Sequence, residues 1–420
     1  MQSESGVSRT MGMQKQPVLI LGVEPRITVP IARSLHRLGV PVAVASLSER
    51  DLSLHSRAIF RFLRLPTYAE SPSGFVTALS AFIRERGVDM LIPATDGALS
   101  VISQHYDSLS ALLHLACPPP PIMDRVLNKE ATLAIARQCG IRVPREYVVS
   151  GLTNIGDIPG LAFPVVAKPR QKRSAETFKV RYFHSERDLG DALKSGVLDD
   201  AILQEYCPGQ GVGVEVLFHQ GACIADFQHR RLKEVPYTGG VAVVAVAEAI
   251  DPELRNMALK LLRGLDWEGV AMVEFRHDPA TGAAALMEVN GRYWGTLSLA
   301  IQAGVDFPAY EWQIVHGETP AVPARYAVGL NWRWSAGSLK RWHGVMKKST
   351  NAMPAQSLLS NHESRPDGSG SRSTRDALWS IRDPLPAIFE MLKTGKDLAV
   401  LDGKAVLKKL LPRGGQREPL

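Results

Sequence analysis

The chain has 420 residues, of which 45% are hydrophobic and 22% are charged. This composition is typical of a globular protein and, at about 100–200 residues per domain, predicts several domains; it excludes collagen, coiled coils and wholesale disorder. The longest apolar run, residues 240–247, is far shorter than the ~20 residues of a membrane span. The polar N-terminus shows no signal-peptide pattern, so we expect a cytoplasmic protein.

The net charge of +7 is confined to the C-terminal part of the chain. Residues 331–420 contain 16 Lys+Arg and 8 Asp+Glu, whereas the rest contains 33 and 34. The neutral body and the lack of a basic, aromatic sheet motif predict no nucleic-acid partner. The four cysteines have no metal-binding spacing, so we expect buried or partly buried thiols.

The first part of the chain alternates between strand and helix patterns. The predicted elements are a strand over residues 17–23, a helix over 27–38 and strands over 40–46 and 90–95. This order is typical of a parallel sheet and predicts a Rossmann-like α/β domain over residues 16–120, after a flexible N-terminus over 1–15. The first turn has the single glycine Gly22, so it lacks the dinucleotide-binding fingerprint, and a nicotinamide-dependent oxidoreductase is disfavoured.

Prolines 118–121 mark a domain boundary because they interrupt regular structure. The elements predicted after it are a helix over residues 124–139, a strand over 163–169, a hairpin over 212–228 and a flexible linker over 349–375. Short helices are expected beyond the linker. The run Gly209-x-Gly211-x-Gly213 is interpreted as a flexible entry to the hairpin.

Residues 271–295 predict a second hairpin, whose strands flank the turn-forming segment DPATG. With its centre near Thr281, Glu274 lies opposite Glu288 and Phe275 opposite Met287. Asn290 then projects from the same face as Glu288. Two opposed carboxylates repel each other unless a cation lies between them, and an oxygen-only ligand set suits Mg²⁺. The alternative, an ordinary solvated hairpin face, stays open on these residues alone.

The residues of this hairpin resemble those of a known family. Glu274 followed by MEVNGR at 287–292 is similar to the metal-binding end of the ATP-grasp superfamily, with Glu274, Glu288 and Asn290 as the implied metal ligands. The resemblance covers residues 17–320 and implies α/β and α+β architecture. Its domains are a Rossmann-like pre-ATP-grasp domain (16–120), a two-lobed ATP-grasp domain (121–325, with the N-lobe to about 205) and a basic C-terminal extension (326–420).

Further motifs occur in the order that this family shows. Lys129, before CGIRVP, and Lys168 in VVAKP resemble the family's two phosphate-binding lysines. The segment ILQEYCPG resembles the hinge between the lobes, which implies that Gln204, Glu205, Tyr206 and Cys207 bind the adenine edge. The implied cofactors are ATP and one or two Mg²⁺ ions, with Mn²⁺ as an alternative. The loop after Lys168 departs from the family because it contains no glycine, which leaves its closure over ATP open.

The resemblance also implies residues for the transferred phosphoryl group. Independently of the resemblance, Arg292 lies two residues after Asn290 and is expected to bind a phosphate or carboxylate with two hydrogen bonds. The segment from His229 to Gly240 is similar to a stretch of D-aspartate ligase-type enzymes that lies near the γ-phosphate. We therefore expect Arg231 or His229 to stabilise the transferring group. The residues expected to line the substrate are Thr238, Gly239 and Gly240.

The implied activity is an ATP- and Mg²⁺-dependent ligase that joins a small-molecule carboxylate to an amine through an acylphosphate. Two alternatives stay open: a carboxylase of the biotin carboxylase type and a non-catalytic ATP-binding protein. The sequence identifies neither substrate and leaves the oligomeric state open. The C-terminal extension carries four of the seven tryptophans. It is expected to cap the body, or alternatively to contact an anionic membrane or an acidic partner.

Overall fold

The structure is a computed structural model of the 420-residue chain. The residues that it describes are 15–48, 54–147, 155–169, 180–199, 201–235, 240–348 and 374–410. The predicted flexible N-terminus and linker fall outside these residues, apart from residue 15 and residues 374–375.

The first sheet has five parallel strands in the order β3-β2-β1-β4-β5. Its elements are β1 (Val18–Leu21), α1 (Pro25–Arg37), β2 (Val42–Ala45), β3 (Arg61–Leu63), α2 (Pro72–Arg86), β4 (Met90–Pro93), α3 (Asp96–Gln104), α4 (Tyr106–Ser110) and β5 (His114–Leu115). All residues of β1, β2 and β4 are buried, as expected for short apolar strands between helices. The parallel α/β prediction is therefore confirmed. The strand order changes direction between β1 and β4, and α/β folds bind ligands beside the carboxyl ends of strands at such a point.

Two helices and a four-stranded sheet follow. Their elements are α5 (Pro120–Leu127), α6 (Lys129–Gln138), β6 (Glu146–Tyr147), β7 (Val165–Pro169), β8 (Arg181–Phe183), α7 (Glu186–Lys194) and β9 (Ala201–Glu205). The prediction of one helix over 124–139 is wrong, because the chain is extended at Asn128. The Asn128 carboxamide accepts from the backbone N–H groups of Glu130 and Ala131, and so begins α6 as its N-cap.

The largest sheet has seven strands, in the order β14-β13-β10-β11-β12-β15-β16. Its elements are β10 (Gln210–His219), β11 (Ala222–Val235), β12 (Val241–Glu248), α8 (Pro252–Gly264), β13 (Gly269–His277), β14 (Ala284–Asn290), α9 (Leu297–Ala303), α10 (Phe307–Val315), β15 (Asn331–Arg333) and β16 (Arg375–Asp376). The turn between β10 and β11 has positive φ at Gln220 and Gly221, which matches the twist of a two-residue hairpin.

The C-terminal part packs on the body through β15, β16 and two helices. These are α11 (Ser335–Lys348) and α12 (Leu385–Leu410), and the latter is one long helix rather than the expected short ones. Trp332 is fully buried and donates to the Ser298 hydroxyl, whereas Trp342 and Trp379 are exposed. Arg33 of α1 donates to the Asp383 carboxylate at 2.9 Å, which ties this part to the first sheet.

In the described ranges, no helix combines the length and the apolar character needed to cross a bilayer. The four cysteines are free thiols, two of them buried and two partly buried, as expected.

Candidate active site

The β13–β14 hairpin brings two predicted metal ligands together. Glu274 pairs with Glu288, as the hairpin arithmetic predicts. The register shifts by one residue beyond this pair, so Phe275 pairs with Leu286 and the predicted pairing with Met287 is wrong. The β-bulge leaves Met287 as the extra residue. Its sulfur lies 3.9 Å from Nζ of Lys168 on β7, where the smaller sheet meets the larger one.

Asn290 lies between the two carboxylates. Its Nδ2 donates to Oε1 of Glu274 at 2.8 Å and to Oε1 of Glu288 at 3.3 Å. One carboxylate oxygen from each strand therefore points to the same position, and that position holds a hydrogen-bond donor. No cluster of three His, Cys, Asp or Glu side chains suited to a metal occurs in the parts of the chain that are described. The present set has two carboxylates and one amide, and this chemistry fits Mg²⁺ that is held partly by a nucleotide.

Arg231 on β11 compensates the charge of Glu274. Its Nη2 lies 2.5 Å from Oε2 of Glu274, and its Nη1 lies 3.5 Å from Oε1 of Glu234. Burial opposes the guanidinium charge, but the two glutamates outweigh burial and raise the pKa of Arg231 above its ordinary value. Its Nε is buried and finds no hydrogen-bond partner among the described residues. Arg231 is thus a fixed cation beside the candidate metal ligands.

His229 lies deeper than the sequence suggests. Its side chain has no accessible surface, and its Nδ1 lies 2.5 Å from Oε1 of the equally buried Glu215. Burial, and then the charge of Arg231, lower the pKa of His229 to about 3, while burial raises the pKa of Glu215 well above its usual range. Burial therefore disfavours the charged form of both groups. Because the His229 ring has no accessible surface, it cannot contact a substrate in this conformation. We infer that His229 instead supports β11, the strand that carries Arg231.

Two glycines of the predicted flexible entry lie inside β10, and that interpretation is wrong. A Cβ on Gly213 would lie 2.4 Å from Cε1 of His229, and one on Gly211 would lie 3.0 Å from Cδ of Arg231. No protein side chain tolerates a contact as close as the first. Gly211 and Gly213 thus form a flat strand surface on which Arg231 and His229 rest.

The two candidate phosphate-binding lysines come from different elements. Lys129 begins α6, and its Nζ lies 3.9 Å from Oε2 of Glu288. Burial, and then repulsion by Lys129, lower the pKa of Lys168 to about 8, while Glu288 opposes this shift. Because the surroundings of Lys168 disfavour its protonated form, this site is suited to an anion, which would stabilise the positive charge of Lys168.

Of the predicted adenine-binding residues, Gln204 and Glu205 end β9, which pairs with the strand of Lys168, and Tyr206 and Cys207 follow it. Gln204 is buried, and its Oε1 has no hydrogen-bond partner in the described ranges. The backbone N–H of Glu205 donates to Arg145 and that of Tyr206 to Pro164. Burial and the neighbouring Glu205 raise the pKa of the buried Cys207 thiol. The unpartnered oxygen of Gln204 is the one feature here that calls for a ligand donor.

Arg292 forms an ion pair that the sequence analysis missed. Its Nε and Nη2 each donate to the Asp96 carboxylate at 3.0 Å, and Nη2 also donates to Oδ1 of Asn290 at 3.3 Å. Asp96 is the first residue of α3 and lies two residues beyond Ala94, which follows β4, at the place where the strand order of the first sheet reverses. The polar residues after that strand were the available signal.

Gly291 lets the chain turn between Asn290 and Arg292. A Cβ there would lie 2.3 Å from the indole ring of Trp267, so the close approach requires glycine. Of the predicted substrate-lining residues, Gly240 is exposed, and its carbonyl accepts from Arg231 Nη1 at 3.2 Å. Thr238, Gly239 and most of the loop after Lys168 lie outside the described residues, so these predictions stay predictions.

The chain is similar to known proteins over much of its length. Residues 198–336 match the family model described as ATP-grasp in the biosynthetic pathway with Ter operon. The D-aspartate ligase of Enterococcus faecium is 22% identical over 76% of this chain and 80% of that ligase.

Solved structures show the same fold. The L-amino acid ligase from Bacillus licheniformis has a TM-score of 0.56 at 20% identity, over 72% of this chain and 74% of that one. The N5-carboxyaminoimidazole synthetase from Staphylococcus aureus in complex with ADP has a TM-score of 0.61 at 13% identity, over 76% and 82%. The motifs, the matched segment and the fold agree: residues 198–336 match an ATP-grasp family model, and the chain is similar to ATP-grasp ligases in sequence and fold.

Proposed function

We propose that this protein is an ATP- and Mg²⁺-dependent ligase that joins a carboxylate to an amine through an acylphosphate. The observation that carries the proposal is the convergence of Glu274, Glu288 and Asn290 beside Arg231. The similarity to D-aspartate ligase supports the reaction class.

The two lysines and the carboxylates would bind different parts of the Mg²⁺–ATP complex. Lys129 and Lys168 would bind the phosphates, and an anion beside Lys168 would reverse the unfavourable desolvation of its charge. Glu274, Glu288 and Asn290 would hold Mg²⁺, which when bound neutralises charge on the β- and γ-phosphates. The hinge residues from Gln204 to Cys207 would bind the adenine edge, with Gln204 Oε1 accepting from its amino group.

The proposed reaction has two displacement steps. A carboxylate oxygen of the first substrate attacks the γ-phosphorus, the bond to the β-phosphate oxygen breaks, and ADP leaves. The amine nitrogen then attacks the acylphosphate carbonyl carbon, the carbon–oxygen bond breaks, and phosphate leaves. The nitrogen loses its proton to the departing phosphate or to water. Arg231 and Arg292 would stabilise the charge on the transferring group by position and electrostatics.

The substrates would enter between the first sheet and the hairpin. Asp96 and Arg292 form an ion pair between the first sheet and the hairpin, so a carboxylate and a guanidinium group lie at this boundary to bind substrates. If substrate binding breaks the Asp96–Arg292 ion pair, Arg292 can donate to a carboxylate or phosphoryl oxygen instead.

An ADP-release screen with Mg²⁺ tests the proposal, with amino acids, sugar acids and amines offered singly and in pairs. We expect ADP release that requires both an acid and an amine. Once a pair is found, ¹⁸O in the acid should appear in the released phosphate, because the carboxylate oxygen stays with the phosphorus when the amide forms. Bicarbonate-dependent release without an organic acid would favour a carboxylase instead. Tight ATP binding without turnover across the panel would contradict an enzyme.

A further inference from the structure

A cavity lies away from the candidate active site. It has a volume of about 760 Å³ and lies between residues 110–119, the end of β10, the start of β13 and helix α10. Small-molecule sites commonly have about 300–1,000 Å³. Gly269 on its wall and Glu274 lie five residues apart on one strand, or roughly 16 Å at 3.3 Å per residue. The cavity is therefore separate from the carboxylates of the active site.

The wall of this cavity contains a buried carboxyl group with an unused oxygen. Glu311 of α10 is 4% exposed, and its Oε2 accepts from the Tyr293 hydroxyl at 2.7 Å. Its Oε1 has no hydrogen bond of normal geometry to any described residue, although the backbone N–H of Val270 interacts with this carboxyl group. A Cβ on Gly269 would lie only 3.3 Å from Oε1, so a larger residue at this position would crowd the carboxyl group. A buried acceptor without a hydrogen bond of normal geometry is costly, and a ligand donor would reduce that cost.

The other charged groups of the cavity select the sign of the ligand. No lysine or arginine occurs among its described lining residues, whereas Glu268 and Glu311 both do. Burial lowers the pKa of His114, which favours its neutral form, and His219 is hydrogen-bonded to Glu268 at 2.5 Å. An anionic ligand would thus meet two carboxyl groups and no permanent cation.

The remaining wall is largely apolar, with Leu115, Phe218 and Ile314 among its side chains. This combination suits a molecule with one cationic donor and an apolar body. We propose that the cavity binds a small organic ammonium ion with an alkyl or aryl group, whose N–H donates to Oε1 of Glu311. This site lies outside the proposed reaction centre and does not depend on the proposed ligase activity.

Isothermal titration calorimetry of the full chain with phenethylammonium chloride tests this proposal. We expect measurable binding of phenethylammonium, and none of similar strength for 2-phenylethanol, which lacks the charge, or phenylacetate, which reverses it. Burial raises the pKa of Glu311 to about 7, so the titration is made at pH 8, where the carboxyl group is mostly ionised. At this pH Glu311→Gln should weaken phenethylammonium binding about tenfold to a hundredfold, because a charge-assisted hydrogen bond inside the cavity is lost. The matched control Glu268→Gln should weaken it less than about fivefold, since that carboxylate is half exposed and already paired.

Equal affinity of the wild type and Glu311→Gln would overturn the proposal, since the ammonium would then bind elsewhere, including at the reaction centre. Equal affinity for 2-phenylethanol would overturn the role of charge. If Glu311→Gln does not fold, Ile314→Trp replaces it. This variant reduces the volume without altering a charge and should also abolish binding, and unchanged affinity there would overturn the location.

Discussion

Replacing Gly213 by alanine tests whether the glycine strand supports the site. The added Cβ would lie 2.4 Å from Cε1 and 2.9 Å from Nδ1 of His229, so the ring must move. The ring is fully buried and hydrogen-bonded to Glu215, so moving it breaks that bond. A broken buried hydrogen bond costs about 1–3 kcal/mol and overpacking about 1–3 kcal/mol. Replacing a strand glycine returns about 0.5–1 kcal/mol. We therefore expect a net loss of about 1–5 kcal/mol.

The assay is urea unfolding followed by tryptophan fluorescence, with Gly344→Ala as the matched control. Gly344 lies in α11, and a Cβ there would meet no atom within 4 Å. The control should gain about 0.5–1 kcal/mol of stability from helix propensity alone. If Gly213→Ala and Gly344→Ala have the same stability, His229 is not packed against the glycine strand, and our explanation of how Arg231 is supported is refuted.

Three further predictions concern packing and charge. Trp332→Ala should lower the free energy of unfolding by about 3–5 kcal/mol because the ring is fully buried, whereas Trp342→Ala, at a 61% exposed position, should change it little in the same urea assay. Above pH 8, the apparent dissociation constant for ATP should rise up to about tenfold per pH unit as Lys168 loses its proton, and Lys168→Arg should remove this rise in a binding titration from pH 7 to 9.5. Hydrogen bonds from Ser56 and Arg33 hold the pKa of Asp383 below its usual value of 3.8 despite burial. The ionised Asp383 therefore stabilises the folded state above pH 3.8, and this stabilisation is lost as the pH falls through the lower pKa of the folded state. Asp383→Asn should therefore flatten the acid side of the stability profile, and an unchanged profile would contradict this.

The fold could be predicted where the apolar pattern and the turn residues agree. The strands at 17–23, 40–46 and 90–95 are short apolar runs next to helices, and each contains an observed strand. The pairing of Glu274 with Glu288 followed from the turn centre. Both cases depend only on contacts that are local in sequence or on burial, and these are visible in one sequence.

The features that were missed depend on contacts between distant residues. Asn128 ends one helix and begins another by capping, although the helical pattern runs through it. The glycines of β10 appeared flexible because the His229 ring above them comes from another strand. The Arg292–Asp96 pair joins residues 196 positions apart, and hydrophobic periodicity gives no information about such a pair.

Glu274, Glu288 and Asn290 are proposed to form the metal-binding end of an ATP site. The most direct measurement is Mg²⁺-dependent ADP release by Glu288→Gln, beside the exposed control Glu318→Gln, once the substrate pair is known. We predict a loss of about a hundredfold or more for Glu288→Gln and none for the control. The metal-free thermal midpoint of Glu288→Gln should change little, because the lost attraction to Lys129 is offset by the removed repulsion from Glu274. Full ADP release by Glu288→Gln with an unchanged Mg²⁺ requirement would contradict the metal assignment and the mechanism built on it.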